Sequence, residues 1–231
     1  MKKFELTSNT KIWFGRKLFQ IKALISFGNV KEGELGGYIE KEANLDHSGD
    51  AWVCGDAKVC GNAKVCGNAK VYGNAEVCGD AKVCGNAKVY GNAKVYGNAE
   101  VCGNAEVYGN AEVYGNAEVY GNAKVCGDAE VCGDAKVCGN AKVYGNAEVC
   151  GDAEVCGDAD YATIKGFGTE FRTTTFFKCK DGATRVRCGC FYGNLNEFRK
   201  QVKNTRKGKI AEEYLMIADL MEKHFKEEKD V

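Results

Sequence analysis

The sequence predicts an all-β chain with a helical C-terminus, the β part being a parallel solenoid. Valine recurs every six residues from Val53 to Val155, making 18 consecutive hexads of the form Ala-[Lys/Glu]-Val-[Cys/Tyr]-Gly-[Asn/Asp]. That period is too short for a helix or a complete hairpin and marks a parallel β-helix. The 231 residues include 30 Gly and no Pro, so no position lacks the backbone donor that a continuous ladder needs.

The elements follow in order. KFELT, KIWFG and KLFQIKALISF alternate or run apolar in short lengths, which predicts an N-terminal cap of two or three antiparallel strands over residues 1–38. The array begins with Ile39 and Leu45, six apart, and a two-residue insertion in DHSG delays the next step to Val53. Within a hexad, strand alternation sets Ala and Val inward and Lys or Glu outward, a position that only Trp52 fills differently. Gly with Asn or Asp then turns the corner, because these residues tolerate positive φ. Tyr161 follows Val155 by six and ends an array of 21 hexads over residues 39–161. Residues 162–194 predict a β-hairpin around Asp181-Gly182. Over residues 195–231, an Asn194–Glu197 capping box opens a helix with Leu195, Phe198 and Val202 on one face. A second helix carries Ile210, Tyr214, Ile217, Met221 and Phe225 in one stripe.

With Val59 aliphatic and Ala57 small two positions earlier, the pattern resembles the hexapeptide-repeat family. That resemblance implies a left-handed parallel β-helix of triangular section with three hexads per coil, hence about seven coils and, at the usual strand spacing, a prism about 34 Å long. It also implies assembly into homo-oligomers, trimers above all. The flanks FGNVKEGELGGYIEKEANL and CGCFYGNLNEF resemble repeat proteins of phages, prophages and gut bacteria described as hexapeptide-repeat or polymer-forming proteins. This implies a phage or bacterial protein of the cytoplasm and supplies no activity.

Composition narrows the function classes. The N-terminus has lysines but no apolar core of a signal peptide, and no run of 18 apolar residues occurs, so neither secretion nor a membrane span is expected. Eleven of the 14 Cys fall at a repeat position that otherwise holds Tyr, which argues against a disulfide framework and for free thiols in a reducing compartment. Three hexads per coil sort that outward position into columns: Cys54, Tyr72, Tyr90, Tyr108, Cys126, Tyr144; Cys60, Cys78, Tyr96, Tyr114, Cys132, Cys150; and Cys66, Cys84, Cys102, Tyr120, Cys138, Cys156. Inert ladders are expected, with oxidative bridging or soft-metal capture as alternatives; a straight line of sulfurs does not converge on tetrahedral zinc. Cys179, Cys188 and Cys190 are read as core rather than as a metal site.

Net charge is zero but segregated, with 10 Lys/Arg against 19 Asp/Glu over residues 39–160 and 12 against 3 over 161–210. An anionic partner is therefore expected at the basic segment, whose candidates are Arg172, Lys178, Lys180, Arg185 and Arg187 on the hairpin and Arg199, Lys200, Lys203, Arg206, Lys207 and Lys209 in RKQVKNTRKGK. Phe171, Phe176 and Phe177 are expected to stack bases if the partner is a nucleic acid. The expectation is a non-enzymatic scaffold that sequesters an anionic, nucleotide-type ligand, a nucleic acid or a host protein, with no metal or cofactor. The competing class, acyl transfer, rests on the family resemblance and on His47 in LDHSGD as general base. His224, near a helix C-terminus, is read as surface.

Overall fold

The computed structural model describes residues 1–226 and is a parallel β-solenoid with a β cap at one end and a sheet with two helices at the other. The cap strands β1 (Phe4–Trp13), β2 (Arg16–Ala23) and β3 (Leu35–Ile39) pair antiparallel. Eighteen two-residue strands follow, one per hexad, from β4 (Trp52–Val53) to β21 (Glu154–Val155). Each except the last three pairs in parallel with the strand 18 residues on, so that Lys94 lies beside Glu112 and Val95 beside Val113. Three hexads per coil thus emerge as three sheets, the deepest containing β3 and six repeat strands, seven coils in all.

Every repeat Val and Ala is fully buried, and every repeat Gly from Gly55 to Gly151 has a positive φ. The corner needs glycine for a second reason. A Cβ on Gly97, at φ 71°, would lie 3.0 Å from both N and O of Gly115 in the next coil. Outside, Asn side chains donate to one another coil over coil, as in Asn68→Asn86→Asn104→Asn122→Asn140. Part of the Lys/Glu alternation is ion pairing between coils, as in Lys88–Glu106 at 3.1 Å and Lys94–Glu112 at 2.8 Å, exposed pairs worth a few tenths of a kcal/mol each. The Cys/Tyr position is half-buried in most coils: Tyr72, Tyr90 and Tyr108 stack at 4.8 and 4.9 Å, and the Tyr96 and Tyr114 hydroxyls donate to Glu112 and Glu130.

The solenoid has a direction. In the inner coils three N–H groups per hexad donate toward the C-terminal end: Lys94 N to Ala111 O, Tyr96 N to Val113 O and Asn98 N to Gly115 O, at 2.8–3.0 Å. The first coil is therefore left with unclaimed carbonyls and the last with unclaimed N–H groups, and an unpaired buried backbone group costs about 1–3 kcal/mol. Fully buried donors meet the first need. The Lys3 ammonium donates to the carbonyls of Gly49 and Ala51 at 3.2 and 2.9 Å, and the Asn44 amide to those of Gly61 and Ala63 at 3.1 and 2.8 Å. Acceptors meet the second: Asp158 takes Lys142 N, Thr175 takes Glu148 N, and Asp160 takes the N–H groups of Cys156 and Gly157. Trp52 departs from the repeat because the cap covers its position; it is 3% exposed, edge-on to Phe27 and against Gly36.

At the far end β22 (Tyr161–Ile164), β23 (Thr174–Lys178), β24 (Thr184–Cys188) and β25 (Phe191–Asn194) form an antiparallel sheet. The expected hairpin is its centre; the two outer strands are additional. Helices α1 (Leu195–Thr205) and α2 (Gly208–Phe225) pack on it, α1 opened by the Asn194–Glu197 capping box, with Phe198, Val202, Tyr214, Ile217, Met221 and Phe225 buried around Phe176 and Val186. None of the helices over the described residues is long and apolar enough to cross a membrane.

Candidate functional site

The basic segment does not form one positive surface. Lys178 pairs with Asp160 at 3.3 Å, Arg185 with Asp181 at 2.5 Å, Arg187 with Glu148 at 2.7 Å and Lys209 with Glu213 at 3.6 Å. Arg199 is held by Asp219 at 2.7 Å and by Glu222, carboxylates that α2 brings across to α1. The cations of the segment are divided, Arg185 and Lys209 by acids four residues away and Lys178, Arg187 and Arg199 by acids that fold back from elsewhere in the chain. Arg172, Lys180, Lys200, Lys203, Arg206 and Lys207 have no ion-pair partner among the described residues.

Two of these meet at a cavity of about 230 Å³ between the sheet and α1. Its floor is aromatic: Phe198 is buried, edge-on to Tyr214 at 5.8 Å and tilted against Phe191 at 5.4 Å. The rim carries Arg172, Arg206, Gln201, Thr205 and the exposed Cys190, with half-buried Cys188 accepting from the Thr174 hydroxyl at 3.1 Å. The Tyr214 hydroxyl donates to the Phe167 carbonyl at 3.2 Å, tying α2 to the loop before Arg172, and apolar surroundings push its phenol pKa up. The Arg172 side chain lies over Gly189, where a Cβ would approach Nη1 to 2.8 Å. Phe171 beside it is held at φ 50°, a conformation costly for any residue but glycine, and such strain gathers at binding sites.

Other sequence expectations fall differently. Phe176 and Phe177 are completely buried and unable to stack on a base; only Phe171, 65% exposed, remains available. Cys179 is core, as expected, but Cys190 is exposed. Cys138 and Cys156 are disulfide-bonded, a departure from wholly free thiols that the register explains by bringing residues 18 apart side by side. Twelve Cys are free. No group of three or more His, Cys, Asp or Glu able to hold a metal occurs among the described residues.

His47 stacks on Phe4 at 4.4 Å, its Nδ1 accepts the backbone N–H of Lys3 at 3.1 Å, and its Nε2 meets Glu42 at 2.7 Å. An Nδ1 that accepts is unprotonated, so the ring hydrogen sits on Nε2 and points at the carboxylate. Both nitrogens are engaged within the N-terminal cap, and the Glu42 carboxyl is held below its usual pKa by His47 and then Lys2. His224 is exposed, as expected.

The sequence marked Arg172 and Arg206 as basic but gave no reason to join them, since they lie on different elements. Gln201 and Thr205 carried no signal at all; Tyr214 did, through its place in the apolar stripe that docks α2. The chain matches no protein-family model and no curated protein.

Proposed function

We propose that the protein is a non-enzymatic β-solenoid scaffold whose C-terminal cap binds a small anionic ligand between Arg172 and Arg206. The carrying observation is two guanidinium groups without ion-pair partners on the rim of one aromatic-floored cavity. Guanidinium forks match phosphate and carboxylate oxygens. At about 230 Å³ the cavity lies below the range typical of whole drug-sized ligands, so it suits the charged group of a nucleotide-type molecule with the remainder in solvent. Burial of Phe176 and Phe177 favours this over a base-stacked nucleic acid strand. Engagement of both His47 nitrogens favours binding over acyl transfer, which needs a free general base. Homo-oligomerisation, a trimer first, and a cytoplasmic setting belong to the same proposal, and native mass spectrometry measures the assembly directly.

The test is calorimetric titration with inorganic phosphate, AMP and a single-stranded oligonucleotide at low salt. Saturable AMP or phosphate binding is expected, weakened at least about tenfold in an Arg172→Ala/Arg206→Ala variant, since a charge-assisted hydrogen bond contributes about 1.5–3 kcal/mol. Lys178→Ala, already paired with Asp160, is expected to leave it unchanged. Absence of saturable binding by both small probes removes the proposal.

A further inference from the structure

The parallel register sets like positions of successive coils side by side, and in the second column this joins Cys60 to Cys78 and Cys132 to Cys150. Backbone bonds hold each pair, Cys60 N to Val77 O and Cys132 N to Val149 O, both 3.0 Å. The Cys138–Cys156 bond on the neighbouring face shows that this register brings sulfurs 18 residues apart within bonding reach.

These two pairs differ from the other thiols in three ways. Each is asymmetric: Cys60 and Cys150, on the side of the nearer cap, are 7% exposed, whereas Cys78 and Cys132 are half-buried. Each lies under an arginine–glutamate clasp that a cap lays on the same face. From the N-terminal cap Arg16 holds Glu40 at 3.0 Å, and from the C-terminal sheet Arg187 holds Glu148 at 2.7 Å. Each also has one thiol favoured as thiolate. Cys132 is pushed down to about 7, first by the Cys150 S–H, with the Arg187 charge adding to it. Cys78 is lowered in the same sense, first by the Cys60 S–H, with the charges of Arg16 and Lys94 behind it. In contrast Cys66, Cys84 and Cys102 in the third column are all pushed up, chiefly by burial.

We propose that Cys60–Cys78 and Cys132–Cys150 are two thiol–disulfide exchange sites for a small-molecule disulfide, one at each end of the face that carries both caps. In the first step the thiolate of Cys132 attacks one sulfur of the disulfide R–S–S–R, forming a mixed disulfide and releasing RS⁻, which takes up a proton. In the second the buried Cys150 gives up its proton and attacks Cys132 Sγ, expelling the second RS⁻, which is protonated in turn. The balance is two protein thiols plus one disulfide giving one protein disulfide and two small thiols. Cys78 and Cys60 play the same parts at the other end. An attacking thiol of lowered pKa that is more accessible than the protected resolving thiol beside it is what such exchange uses.

The test uses the full chain, reduced and freed of reductant, then mixed with glutathione disulfide at pH 7, acid-quenched, alkylated and mapped by peptide mass spectrometry over time. A thiol at about 7 is roughly half ionised at that pH, against a few per cent for an ordinary thiol. After the loss of intrinsic nucleophilicity this leaves a rate advantage of about threefold. Cys132 is expected to form an adduct at least about threefold faster than Cys66, Cys84 and Cys102, and Cys78 to react faster than those three, the adducts then giving way to the two internal disulfides. A Cys150→Ser variant is expected to trap the glutathione adduct on Cys132 while Cys60–Cys78 still closes, which reports folding in the same sample. The proposal is overturned if Cys78 and Cys132 react no faster than the third column, or if Cys150→Ser accumulates no adduct at Cys132 while Cys60–Cys78 closes.

Discussion

Replacing Gly97 with alanine tests the stacked corners. The residue sits at φ 71°, where an L side chain costs about 1–2 kcal/mol, and its new Cβ would meet N and O of Gly115 at 3.0 Å. Those atoms are backbone in the next coil, and the Gly115 carbonyl accepts from Asn98 N at 2.8 Å, so relief means pulling two coils apart. Straining a backbone hydrogen bond there adds about 1–2 kcal/mol, for a total of about 2–4 kcal/mol. Two companions separate the contributions. Gly97→Asn keeps the collision but tolerates the left-handed backbone, and is expected to cost about 1–2 kcal/mol. Gly145→Ala has φ 70° but nothing within 4 Å, and is expected to show only the backbone cost. Urea unfolding midpoints, read with the slope of the transition held constant, give the three values. If Gly97→Ala costs no more than Gly145→Ala, the coils are not in the tight contact on which this reasoning depends.

Two further outcomes follow from the caps. Asn44→Leu removes the donor to two buried carbonyls, Gly61 and Ala63, and is expected to lower stability by about 2–4 kcal/mol in the same urea assay. The Glu40 carboxylate accepts the Gly61 N–H at 2.6 Å and an Arg16 Nη1 bond at 3.0 Å, which in that order hold its pKa below the ordinary value. Its contribution is therefore fully present above the unfolded value near 4.3 and is lost as pH falls through the lower folded one. Glu40→Gln is thus expected to lower the thermal midpoint at pH 6–7, with the difference shrinking below about pH 4.

The repeat was legible because each hexad solves the same local problem: Ala and Val fit a narrow interior, and only Gly turns the corner. The Asn194–Glu197 capping box and the α2 stripe were legible for the same local reason. What failed was non-local. Nothing beside Lys3 announces that its ammonium ends buried against carbonyls some 46 and 48 residues away. Nor does RKQVKNTRKGK reveal that Arg199 is claimed by Asp219 and Glu222 of the following helix. Phe176 and Phe177 sit in an alternating strand, but α1 and α2 cover one side of their sheet and the solenoid end the other, so both are buried.

The two clasps also fix how the molecule is free to change length. The clasps grip Glu40, just past β3, and Glu148 on β20, two strands of one sheet, because the count of hexads between the caps is a whole number of coils. Adding or removing 18 residues keeps that alignment and only moves the caps apart. Adding or removing a single hexad would swing the C-terminal sheet a third of a turn around the axis and carry Arg187 to another face. Duplication of this gene segment therefore behaves as a ruler with a phase: distance between the ends is free in whole coils, while their relative heading is not.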